Sequence, residues 1–131
     1  MRYGPLLNGL LAAGLIAMTA PADAASRSAY VTMMLQAFAA KVECPGFDVA
    51  YPDLVQKAKD MQQPDGTTEA VRKAIAWMHT GGKMGEKGDD SLMAEVAVAT
   101  QSIDLDQRRL GMTTWCDTRK ADLAGFVRAK Q

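Results

Sequence analysis

The stretch Ser26 to Gly46, SRSAYVTMMLQAFAAKVECPG, decides the fold. Val31, Leu35, Phe38 and Val42 recur at intervals of four, three and four, so a single helix face carries all of them. Tyr30, Met34 and Ala37 widen that stripe, and Ser26 or Ser28 can cap its start. Cys44-Pro45-Gly46 stops it, because the residue before a proline is pushed out of the helical region. The expectation is a helix over Ser26 to Glu43 with a cysteine fixed at its end.

Cys116 is the only other cysteine. Whether the two pair depends on compartment, since thiols stay reduced in the cytosol. The N-terminus supplies the compartment. Arg2 is a short positive start, Leu6 to Ala20 are mostly apolar, and Ala22-Asp23-Ala24 fits a small-x-small cleavage pattern. Residues 1–24 therefore read as a signal peptide of bacterial type, cut after Ala24. The apolar run is too short for a membrane-spanning helix, which needs about 20 residues. Residues 25–131 then form a single helical domain in the periplasm or outside the cell, with Cys44 joined to Cys116. The loop model puts the entropy removed by closing so long a loop at roughly 4 kcal/mol.

The remaining segments also read as helices. Pro52 suits a first helical position, and Leu54, Ala58 and Met61 share a face, which predicts a helix over Pro52 to Gln62. Gln63 to Gly66 form a turn. Thr67 or Thr68 can cap a third helix reaching about Thr80, with Val71, Ala74, Ile75 and Met78 inward and Trp77 at the margin. Gly81 to Asp90 carry glycine and charge without apolar period, which predicts a mobile loop. Asp90 or Ser91 opens the longest helix, along Leu92, Val96, Ala99, Ile103 and Leu110. A bend or break is expected between 111 and 117, after Gly111. Asp117 or Thr118 would cap a last stretch with Leu123, Phe126 and Val127 as its apolar face. No segment alternates as a strand does. The fold class is all-α, an irregular bundle of four to five helices with one disulfide.

Charge narrows the function. The chain has 15 basic and 15 acidic residues. One of each lies in the signal segment, so the mature part is also balanced. A nucleic-acid binder would show a basic stripe, and a membrane-surface protein a polybasic cluster. His79 is the only histidine, so no Ser-His or Cys-His set exists without it, and its place in the last turn of a helix suits a cation there. The cysteines lack C-x-x-C spacing and cannot complete a zinc site with one histidine. Gly81-Gly82-Lys83-Met84 lacks the spacing, the Ser or Thr and the preceding strand of a phosphate loop. Asp104 and Asp106 diverge on a helix, and no calcium-loop pattern surrounds them. Asp106 with Arg109 and Glu69 with Lys73 read as surface helix pairs.

The expectation is accordingly a non-enzymatic protein with no cofactor and no metal. A protein-binding module comes first, as an inhibitor, immunity-type or accessory protein whose partner is another periplasmic or secreted protein. Its contact is placed on Lys83, Met84, Glu86 and Lys87 of the loop, with Trp77 and Trp115 as further candidates. Trp115 directly precedes Cys116 and is expected to pack on the disulfide. In general design, by signal peptide, helical content and two cysteines, the chain resembles the small acid-stress chaperones of the periplasm. That resemblance implies a second function, client protection in acid. A copper protein using His79 and methionines such as Met78 or Met84 comes third.

Overall fold

The computed structural model describes residues 22–124 and 127–129. Of the expected signal segment, residues 1–21 lie outside the described residues, and Ala22 to Ala24 open the first helix. Among the described residues there are five helices and one two-stranded sheet. The helices are α1 (Ala22–Glu43), α2 (Tyr51–Asp60), α3 (Thr67–His79), α4 (Asp90–Leu110) and α5 (Met112–Asp122), and the strands are β1 (Phe47–Val49) and β2 (Val127–Ala129).

The stripe on α1 builds the core. Tyr30, Val31, Met34, Leu35, Ala37, Ala40 and Cys44 are buried, and α4 presents Leu92, Val96, Ala99 and Ile103 to the same core. Alanines at 37 and 40 leave room for neighbouring elements to approach. Val42 departs from the expectation, at 83% exposed. It lies on the same side of α1 as Val31 and Leu35. At this end of the helix, however, the neighbours stand apart and an open groove takes the place of cover.

Tyr30 ties three helices together. Its hydroxyl donates to the Leu54 carbonyl of α2 at 2.9 Å and shares a second hydrogen bond of 2.8 Å with the buried Thr68 hydroxyl of α3. Burial, opposed by the hydrogen bond with Thr68, pushes the Tyr30 phenol pKa up, so it stays a neutral donor. The threonine caps expected for α3 are absent for the same reason. Thr68 is committed to Tyr30, and the Thr67 hydroxyl donates to the Pro64 carbonyl at 2.7 Å. Gly66, at φ 87°, takes the cap position. Asp90 opens α4 as expected, and Asp89 before it is the cap, its carboxylate accepting from the Leu92 amide at 2.7 Å.

The expected break after α4 falls at Gly111, with φ 81°, and α5 starts immediately at Met112. Asp117 and Thr118 are therefore interior to α5 rather than caps, and the Thr118 hydroxyl bonds the Thr114 carbonyl at 2.9 Å. Cys44 and Cys116 form a disulfide with their Cα atoms 5.6 Å apart, joining the end of α1 to α5. Trp115 beside it is fully buried.

The strand pair corrects the all-helical expectation. After Pro45-Gly46 the chain runs extended, and Phe47, Asp48 and Val49 pair antiparallel with Ala129, Arg128 and Val127. Val127, expected on a helix face, is in β2, and Phe126 lies outside the described residues. Three residues cannot display a period of two, so neither strand stands out in sequence. No helix among the described residues is long and apolar enough to cross a membrane.

Candidate binding face

The loop between α3 and α4 is pinned back onto α3. The Gly82 amide donates to the Trp77 carbonyl at 2.8 Å. The Met84 amide donates to the Thr80 hydroxyl at 3.0 Å, which itself donates to the Ala76 carbonyl at 2.7 Å. The Glu86 amide donates to the Lys73 carbonyl at 3.2 Å, and the Glu86 carboxylate lies 3.6 Å from the Lys73 ammonium. Gly85 allows this approach. With φ 75°, a Cβ there would stand 2.2 Å from the Lys73 carbonyl oxygen. The segment expected as a mobile loop is folded back, with the Gly82 and Glu86 amides bonded to carbonyls of α3.

The expected contact residues of the loop, Lys83, Met84, Glu86 and Lys87, are all exposed. Met84 is 65% exposed, and Lys83 and Lys87 are exposed beside it. The Lys87 ammonium sits 5.7 Å from the centre of the Trp77 ring, within cation–π reach of that half-buried indole. Trp115 does not join them, being completely buried next to the disulfide with Arg119 over its ring at 5.9 Å.

Sequence reasoning missed a second concave feature. Leu35, Phe38, Val42, Ile75 and Ile103 line a groove of about 290 Å³ between α1, α3 and α4, with His79 and Asp104 on its rim. The available signal was Val42, an apolar residue at the last turn of a helix with no later segment to cover it. His79 is exposed there. Among the described residues no three His, Cys, Asp or Glu side chains converge as a metal site.

The surface ion pairs differ in part from expectation. Asp106 and Arg109 pair at 3.1 Å. Glu69 pairs with Arg72 rather than Lys73, which turns instead to Glu86. Tyr51 also donates to Glu69, at 2.8 Å, so this cluster links the start of α2 to α3.

The chain matches no family model, no curated protein and no solved structure.

Proposed function

We propose that the chain is a non-enzymatic protein-binding module of the bacterial periplasm, and that it meets its partner with the face running from Trp77 to Lys87. The carrying observation is the pinned loop. Ordering a flexible segment at an interface costs affinity, and a loop already held in one conformation avoids that cost. Here two backbone hydrogen bonds onto α3, a third to the Thr80 hydroxyl just past its end, and the close seat of Gly85 do the holding. The face combines a half-buried tryptophan, an exposed methionine and two lysines with a glutamate nearby, a mixture suited to a protein surface. The periplasmic assignment draws on the disulfide and on the signal-like pattern of residues 1–24.

The test is capture of a partner from a periplasmic extract, its identification, and titration of the purified pair by calorimetry. Met84→Asp should weaken binding tenfold or more, equivalent to about 1.4 kcal/mol, with the melting temperature unchanged. Undiminished affinity in that variant would remove the loop from the interface.

A further inference from the structure

We propose that Met84 is an oxidation site, and that its conversion to the sulfoxide by a peroxide switches off the face from Trp77 to Lys87. The effect on binding rests on the reading of that face as the partner contact. Among the described residues the methionines differ sharply in access. Met84 is 65% exposed and Met112 is 41% exposed, whereas the remaining five are half-buried or fully buried. Oxidation of a thioether follows the access of the oxidant to the sulfur.

The pinned loop keeps the Met84 side chain out. Its amide donates to the Thr80 hydroxyl at 3.0 Å, so its backbone is tied to the end of α3. At the next residue the chain runs so close to the helix that a Cβ on Gly85 would meet the Lys73 carbonyl oxygen at 2.2 Å and the Ala76 Cβ at 2.9 Å. The helix thus occupies the space beneath the loop, and the Met84 side chain stays in solvent. Met93 supplies the contrast in the same region. It is half-buried and its sulfur accepts the Gly88 amide at 3.3 Å, so a lone pair is engaged and approach is restricted.

The step is a two-electron oxygen transfer. A lone pair of the Met84 sulfur attacks one oxygen of the peroxide, the O–O bond breaks and an S–O bond forms. With hydrogen peroxide, the second oxygen takes up the proton of the transferred hydroxyl and leaves as water. Sulfur is oxidised and the peroxide is reduced. The product puts a polar S–O group where the face offered its adaptable apolar contact. The pins of the loop run through the amides of Gly82, Met84 and Glu86, and none uses the Met84 sulfur. The fold therefore survives the modification and only the chemistry of the face changes. A methionine sulfoxide reductase, drawing on a dithiol and releasing water, returns the thioether.

Treatment of the disulfide-bonded protein with hydrogen peroxide tests the proposal, with peptide mapping by mass spectrometry at successive times. Met84 should gain one oxygen at least about fivefold faster than Met93 and ahead of every other methionine among the described residues. Helix content by circular dichroism should be unchanged. Protein oxidised at Met84 should then bind the captured partner about tenfold more weakly, read by calorimetry. Met84→Leu, which has no sulfur at that position, is compared with itself before and after peroxide, and its affinity should not move. A Met84 that oxidises no faster than Met93 would overturn the proposal. So would unaltered affinity after oxidation of Met84, in a protein whose binding Met84→Asp weakens. Full affinity in Met84→Asp is a different outcome: it strikes the binding-face reading and the switch with it, while rapid oxidation of Met84 in the free protein still establishes the modification site.

Discussion

Glu69 shows how a single residue links α2 and α3. The Arg72 guanidinium, and next the Tyr51 hydroxyl, hold its carboxyl well below the ordinary 4.5, at about 2. A carboxyl whose folded pKa is depressed contributes stability that is complete above its unfolded value and is lost as pH falls through the folded one. The contribution from Glu69 should therefore be whole above about pH 4.5 and disappear as pH approaches 2. Glu69→Gln is expected to flatten the fall of melting temperature across that window, as read by thermal melts at stepped pH. An unchanged acid limb would show that solvent screens the cluster at this exposed site. Sequence spacing pointed to Glu69 with Lys73, four residues on, and the structure uses Arg72, three on. The planar, forked guanidinium can meet both carboxylate oxygens from there, while Lys73 is drawn to Glu86 by a loop whose path local spacing does not encode.

At the scale of elements, the first four helices were legible because their apolar stripes are long, whereas α5 begins at Met112, ahead of the start expected at Asp117 or Thr118. The observed ends of α3 differ from those expected by one or two residues, and the break after α4 falls at Gly111, within the expected stretch. What escaped depends on contacts between segments distant in sequence. The β1–β2 pair joins residues some 80 positions apart in three-residue strands. The caps of α3 went astray because Tyr30 and Pro64 claim the two threonine hydroxyls. The loop after α3 looked free because no apolar period marks it, yet Gly85 and the Lys73 carbonyl seat it. Among the residues proposed for the site, Lys87 lies over Trp77, while Trp115 went to the core. The two ends of the α1 stripe should likewise respond differently to truncation. Met34→Ala, at a fully buried site, is expected to cost about 2–5 kcal/mol. Val42→Ala, at an exposed one, should change stability by no more than about 0.5 kcal/mol in urea titrations. Equal costs would mean that the groove beside Val42 is closed in solution.

For the whole molecule, the disulfide and the sheet close the chain on itself. Cys44 and Cys116 are 72 residues apart, and β1, just inside that span after Cys44, pairs with β2, which lies beyond Cys116. Replacing both cysteines by alanine should lower unfolding free energy by roughly 4 kcal/mol on the loop-entropy model, a large fraction of the 5–15 kcal/mol typical of a domain. Chemical denaturation of the variant beside the wild type would read that loss. The loop proposed as the binding face is held separately, by its own contacts with α3, and its state before any partner arrives decides the proposal. Backbone amide exchange by NMR, on the free protein and with the captured partner, measures this directly. The amides of Gly82, Met84 and Glu86 should exchange well below free-chain rates in the isolated protein and slow further in the complex. Exchange at free-chain rates in the isolated protein, or no change at these amides on binding, would contradict the account.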